Sequence, residues 1–273
     1  MRLRISHTTE YRYADPVQYS LQRLRLTPSN QPGQIVRAWR TTVHGAHVEV
    51  GYTDHFGNHV DLVSTDAEQV TIRIVAEGEV ETEDRAGVFG PHQGYVPLWL
   101  YLRETPLTKP GKLVRELARA ASGDNGLARM HALMAAIHMA VAYRPGETAA
   151  DTSAEQALEK KQGVCQDHTH VFLAAARHLG IPARYVSGYL LMEAAEQTAS
   201  HAWAEVHLDG LGWVGFDAAN KICPDERYVR LATGLDYKDA APVSGMVTGR
   251  TDETLSVAIK VEPAGQSQSQ SQG

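Results

Sequence analysis

Hydrophobic and polar residues alternate along most of the first hundred positions. Residues 3–13 alternate with a period of two and stop at Asp15-Pro16, and residues 21–26 do the same before Pro28-Ser29-Asn30. Residues 36–43, 47–52, 59–63 and 70–80 follow, separated by turn residues such as Gly45, Asp54 and Gly57. Six such runs with no helical stretch between them predict an antiparallel β-sandwich. The period changes after Pro106 to Gly111. Leu113, Leu117 and Ala120, then Leu127, Met130, Leu133, Met134, Ile137 and Val141, recur at helical spacing. Ser153 with Gln156 forms a capping-box signature for a short helix running to Lys161. Val171, Phe172, Ala175, Ala176 and Leu179 predict a further helix, ended by Gly180 with Pro182 beyond. Strands return at 183–192, 201–208, 213–216 and 254–261. The fold class is α+β. A β-rich unit at 1–100 precedes a mixed unit at 101–262, and a Gln/Ser-rich tail at 263–273 is expected to be disordered.

Composition adds mainly exclusions. The chain has 273 residues, 43% hydrophobic and 21% charged, enough for a core without covalent staples. A net charge of −6 gives no basic field, which argues against nucleic acid as a partner. No apolar run approaches the roughly 20 residues of a spanning helix. The start of the chain lacks the apolar stretch of a signal peptide, so no membrane association and a cytoplasmic location are expected. Two cysteines, Cys165 and Cys223, exclude a disulfide framework and a four-cysteine zinc site. His7, His44, His47, His55, His59 and His92 show no zinc-ligand spacing with a cysteine, so neither metal nor cofactor is expected. In a reducing compartment, a cysteine is more informative as a thiol.

Cys165 lies in Gly163-Val164-Cys165-Gln166-Asp167-His168, at the start of the helix that carries Val171 and Phe172. Free backbone N–H groups and the helix dipole there favour an anion, hence the thiolate. Burial on the apolar helix face would act the other way, and a small buried residue at a helix start is the bland alternative. A base partner is needed to decide.

His201-Ala202-Trp203-Ala204-Glu205-Val206-His207-Leu208 alternates, with His201, Trp203, Glu205 and His207 on one face. Asp209-Gly210-Leu211 then turns the chain into Gly212 and Trp213. A three-residue loop pairs Leu208 with Gly212 and sets Asp217 opposite Trp203, diagonal to His201 and on the same face. Such neighbours lie about 7–8 Å apart, within side-chain reach. A two-residue loop would put Asp217 on the other face. In the odd register, Cys165, His201 and Asp217 can form a triad. His201 would take the thiol proton and return it to the leaving amine, while Asp217 would hold the ring. The Cys165 backbone N–H is one candidate oxyanion donor. No second donor is identified, Gln162 and Tyr143 being guesses. Each residue also has a structural reading: a strand histidine, a turn aspartate, and Trp203 as core or cleft wall. Cys223 is expected to be a bystander.

These segments carry a family resemblance. Gly163-Val164-Cys165-Gln166-Asp167, then Gly180-Ile181-Pro182-Ala183-Arg184-Tyr185-Val186-Ser187-Gly188-Tyr189, then His201-Ala202-Trp203-Ala204-Glu205-Val206, then Gly212-Trp213-Val214-Gly215-Phe216-Asp217, resemble the bacterial transglutaminase-like core. Residues 1–95 resemble the β-rich domain that precedes this core in many bacterial members. The resemblance implies a papain-like core, with a catalytic helix packed on an antiparallel sheet. It also implies a Cys165, His201, Asp217 triad that transfers acyl groups from amides through a thioester. Two departures stand out. Asp217-Ala218 replaces the Asp-Pro common in the family, and Gly234-Leu235-Asp236-Tyr237 replaces Gly-Arg-Asp-Tyr, which puts an arginine contact in doubt.

Water or an amine can resolve the thioester. Hydrolysis of a peptide or protein amide is the preferred expectation, drawn from the family's breadth. Transfer of a glutamine acyl group to an amine is the alternative, and a catalytically idle peptide-binding module is the reading from another class. Neither substrate identity nor oligomeric state follows from the sequence.

Overall fold

The computed structural model describes residues 1–17, 19–66, 68–193, 196–248 and 252–265. In chain order its strands and helices are β1 (Arg2–Tyr13), β2 (Tyr19–Leu24), β3 (Gln34–His44), β4 (Ala46–Thr53), β5 (His59–Thr65), β6 (Thr71–Thr82), β7 (Val88–Gly90), α1 (Lys112–Ala120), α2 (Gly126–Ala140), β8 (Ala142–Tyr143), α3 (Ala154–Lys160), β9 (Gln162–Gly163), α4 (Cys165–His178), β10 (Ala183–Leu190), β11 (Glu196–Gln197), β12 (His201–Leu208), β13 (Gly212–Phe216), β14 (Tyr228–Gly234), α5 (Tyr237–Ala240), β15 (Val243–Thr248) and β16 (Glu253–Pro263). The six leading strands match the six alternating runs. In β1, Leu3, Ile5, His7 and Thr9 point inward and their neighbours outward. Gly45 turns β3 into β4 at φ +75°, and a Cβ there would sit 2.3 Å from the Thr71 carbonyl oxygen.

Among the described residues, one sandwich sheet has the order β11-β16-β1-β6-β3 and the other β15-β2-β5-β4. Leu3, Ile5, Ile72 and Ile74 from the first share a core with Leu24 and Val63 from the second. A third sheet, β14-β10-β12-β13-β7, carries the helices. The buried residues of α4 pack with Met130, Leu133 and Ile137 of α2 and with Ala202, Ala204 and Val206 of β12.

Hydrogen bonding crosses the sequence boundary at residue 100 in both directions. β7, from the leading stretch, pairs with β13, while β15 and β16, placed by sequence in the second unit, pair with β2 and β1. β16 runs antiparallel along β1 from Leu3 opposite Pro263 to Tyr13 opposite Glu253. Local periodicity cannot register two strands separated by most of the chain. Pro263, assigned to the expected disordered tail, ends β16. Residues 266–273 of that tail lie outside the described residues. None of the described helices is long and apolar enough to cross a membrane.

Candidate active site

The entry to α4 is fixed by one carboxylate. Asp167 Oδ2 accepts from the Val164 backbone N–H at 2.7 Å and from Thr148 Oγ1 at 2.7 Å. Gly163 permits this approach, since a Cβ there would stand 2.7 Å from the Asp167 side chain. Cys165 is thereby the first residue of α4. The helix is buried nearly all round, as a central core element must be. Its polar side chains find internal partners: His168 lies between the Val164 and Val141 carbonyl oxygens at 2.8 and 2.9 Å. Arg177 donates to the carbonyls of Tyr101, Ala183 and Leu235 and to the Thr108 hydroxyl. Leu235 stands where the resemblance expected an arginine; its own side chain packs beside Tyr101 and Trp213.

The other half of the site lies on β12 and β13. Leu208 pairs with Gly212 and Ala204 with Phe216, the register set by the three-residue loop Asp209-Gly210-Leu211. His201 begins β12 opposite Gly188 of β10. Trp203 stacks beside the His201 ring with centroids 6.3 Å apart, and Tyr228 meets Trp203 edge-on at 5.4 Å. Trp203 is buried among Val186, Leu190 and Tyr228, so it belongs to the core and not to the cleft wall.

Asp217 ends the β13 run in an Asx-type turn. Its Oδ1 accepts from the backbone N–H groups of Ala219 and Asn220 at 3.0 and 3.1 Å. Its Oδ2 lies 2.6 Å from His201 Nε2 and accepts from Asn220 Nδ2 and Tyr228 Oη, each at 2.8 Å. Asp217 is thus a turn residue and the partner of His201 at once. Burial alone would raise its carboxyl pKa, but the bonds from His201, Asn220 and Tyr228 outweigh that and hold it below the usual 3.8.

His201 is 8% exposed, and burial by itself would disfavour its charge. The Cys165 sulfur and the Asp217 carboxylate reverse that and raise the imidazole to about 10. With Nε2 on Asp217, the ring's other nitrogen is the one left for Cys165. Cys165 and His201 both line a cleft of about 660 Å³ whose walls include Tyr143, Gln166, Tyr185 and Tyr237. Residues 196–200 also line it, and β11 at their start is held by β16 of the sandwich. The structure therefore brings Cys165, His201 and Asp217 together.

Two families of sequence models match the chain. The transglutaminase-like superfamily matches residues 112–218, and the bacterial transglutaminase-like N-terminal region matches residues 3–81. An uncharacterized protein of Mycobacterium leprae is 30% identical over 95% of this chain and 98% of its own length. The chain belongs to the transglutaminase-like superfamily. Another uncharacterized relative, from Mycobacterium tuberculosis H37Rv, is 29% identical over 96% of this chain and 93% of its own. The solved structure of a candidate cysteine protease from Cytophaga hutchinsonii superposes with a TM-score of 0.77 at 23% identity. It covers 97% of this chain and 91% of that one, a likeness of fold.

Several residues of this transglutaminase-like site escaped the sequence pattern. Tyr228 sits in a strand that carried no recognised signal, and Asn220 read only as part of a turn. Tyr185, on the cleft side of β10, is fully buried, and its hydroxyl is pushed up by burial and by the neighbouring Cys165. Of the two oxyanion guesses, Tyr143 lines the cleft, whereas Gln162 pairs with Ala142 in the small β8–β9 ladder. Cys223 is half-buried beside Gly87, and burial pushes its thiol up. The leading histidines have ordinary side-chain partners: His7 lies 3.0 Å from Tyr189 Oη of β10, His47 contacts Asp66 and Glu49, and His59 contacts Asp61.

Proposed function

We propose that this protein is a thiol enzyme that cleaves an amide bond of a peptide or protein through a Cys165 thioester. One observation carries the reading: a thiol at a helix start shares a cleft with an imidazole that is itself braced by a saturated, buried carboxylate. Cys165 Sγ attacks the carbonyl carbon, and the backbone N–H of Cys165, at the helix start, is the candidate donor to the developing oxyanion. The C–N bond then breaks and the His201 proton leaves on the amine. Water, deprotonated by His201, attacks the thioester carbonyl. The C–S bond breaks, a carboxylate is released, and the proton returns to the thiol pair. Asp217 keeps the ring oriented and offsets its charge throughout. Water is preferred as acceptor on the breadth of the superfamily and on the fold shared with the Cytophaga protein.

Two measurements test this. Iodoacetamide at neutral pH is expected to label Cys165 much faster than Cys223 in the folded protein, and equal slow rates would defeat the thiol-enzyme reading. A glutamine-containing peptide pool incubated with a labelled amine separates the acceptors. Carboxylate product with little amine incorporation is expected, and the reverse would establish transfer to amines instead.

A further inference from the structure

On one face of the third sheet, two guanidinium groups share a single carboxylate oxygen. Arg184 Nε donates to Glu205 Oε2 at 2.7 Å, and Arg230 Nη2 lies 3.0 Å from the same atom. All three residues are nearly or fully buried, with side chains 10%, 13% and 0% exposed respectively for Arg184, Arg230 and Glu205. Two cations against one anion leave one uncompensated positive charge in a low-dielectric place. Such a group calls for a further partner.

That charge faces a cavity. A pocket of about 170 Å³ opens where the sandwich loops meet β10 and β14, and Arg184 and Arg230 both line it. Its remaining polar walls are neutral: Ser29, Gln31, Asn58 and Gln93 among them, with no Asp or Glu among the lining residues. The aromatic floor fixes the cations in place. The Arg184 guanidinium lies 3.9 Å over the Trp213 ring, and that of Arg230 lies 5.6 Å from the Phe89 centroid. Gln31 Oε1 accepts from Arg230 Nη1, which brings the sandwich loop onto the cation. Glu205 Oε1, the carboxylate's other oxygen, is buried without a hydrogen-bond partner, so the cluster's one anion meets the two cations through Oε2 alone. Burial first, and then the second cation, pull Arg230 down to about 10, as expected for a positive charge short of compensation.

We infer that the Arg184–Arg230 pocket is a binding site for a small oxyanion, bearing a phosphate, sulfate or carboxylate group. Its planar donors suit such groups, and its volume admits a compact ligand and not a polymer. The site lies on the sheet face opposite Tyr185, since Arg184 and Tyr185 are adjacent on β10, and none of its lining residues lines the Cys165 cleft. A bound anion there would bridge residues 29–31 of the sandwich to β14 of the third sheet.

The test uses the full-length protein at constant ionic strength, with phosphate, sulfate and acetate each titrated against a chloride background. Calorimetry and the thermal midpoint are followed together. Saturable binding of at least one oxyanion is expected, with a midpoint that rises by mass action. Arg230→Gln is expected to weaken it roughly ten- to a hundredfold, the range for loss of a charge-assisted hydrogen bond. Because Arg230 is buried and its loss endangers folding, Ser29→Glu provides the second arm. Ser29 is an exposed residue of the pocket rim, and a carboxylate placed there would compete for the cations. Which anion binds distinguishes a phosphate-type from a carboxylate-type ligand. No saturable binding to the wild type would overturn the assignment, and so would binding left unchanged in folded Ser29→Glu protein.

Discussion

Tyr228 Oη donates to Asp217 Oδ2 at 2.8 Å, the same oxygen that lies 2.6 Å from His201 Nε2. The tyrosine stands on β14 and the aspartate at the end of β13, so a strand outside the hairpin braces the imidazole's partner. Its ring also packs edge-on against Trp203, which stacks on His201. One side chain thus supports both the charge and the orientation of the histidine. Tyr228→Phe keeps the packing and removes only the hydroxyl. A hydrogen bond to a charged group is worth about 1.5–3 kcal/mol, so a loss of stability of that order is expected. The acid limb should move as well. Asp217 titrates below 3.8 in the folded protein, so its contribution is present above 3.8 and is lost as pH falls through the lowered value. Without Tyr228 the carboxyl titrates closer to 3.8, and acid unfolding should begin at higher pH. An acid midpoint unmoved in Tyr228→Phe would contradict this.

The imidazole follows the opposite sign. His201 is raised from 6.5 to about 10 against a burial penalty, with the Cys165 sulfur the largest favourable influence and Asp217 next. Its charged form therefore contributes stability fully below pH 6.5, and that contribution is lost as pH rises through about 10. Ring NMR of labelled histidine in the wild type should show His201 titrating well above the ordinary range. Cys165→Ala should move that titration downward, because the sulfur that raises it is gone. An identical titration in both proteins would show that the thiol and the ring do not interact.

Residue periodicity carried much of the site. The loop of Asp209, Gly210 and Leu211 fixed the side of the sheet on which Asp217 emerges, because strand faces alternate strictly. The capping box at Ser153 and Gln156 and the glycine stop at Gly180, with φ +77°, are equally local and were equally legible. Tyr228 was not, since its role depends on β14 pairing with β10 across a turn-rich stretch that has no alternating pattern. Nor was the placement of β15 and β16, whose partners lie more than two hundred residues away. Arg184, Glu205 and Arg230 come from three strands, and only the sheet order makes them neighbours.

Gly188 offers a test of how closely the sheet must pack behind the histidine. It pairs with His201, and a Cβ there would fall 2.1 Å from the Val229 carbonyl oxygen and 2.7 Å from the Trp203 ring. The backbone oxygen cannot swing aside as a flexible side chain would. Gly188→Ala is expected to cost about 1–3 kcal/mol, as overpacking in a filled core does. It should also slow Cys165 alkylation, because Trp203 and His201 are displaced together. Unchanged thermal stability and an unchanged alkylation rate would mean that β14 moves away freely.

Asp167 tests the other wall, the start of α4. Its Oδ2 holds the Val164 N–H and the Thr148 hydroxyl, one residue before the thiol and on the loop that leads to it. Asp167→Ala leaves both donors without their acceptor and removes the tie between that loop and the first helical turn. A destabilisation of about 1.5–3 kcal/mol is expected, read as a lowered denaturant midpoint. Asp167→Asn retains an acceptor oxygen with a similar shape and should recover part of the loss. The alkylation rate of Cys165 separates positioning from simple stability when it is measured well below either variant's melting temperature. If Asp167 sets the thiol's place at the helix start, the rate falls in Asp167→Ala and returns toward the wild-type value in Asp167→Asn. A stable helix that leaves the rate untouched in both would assign Asp167 to the fold alone.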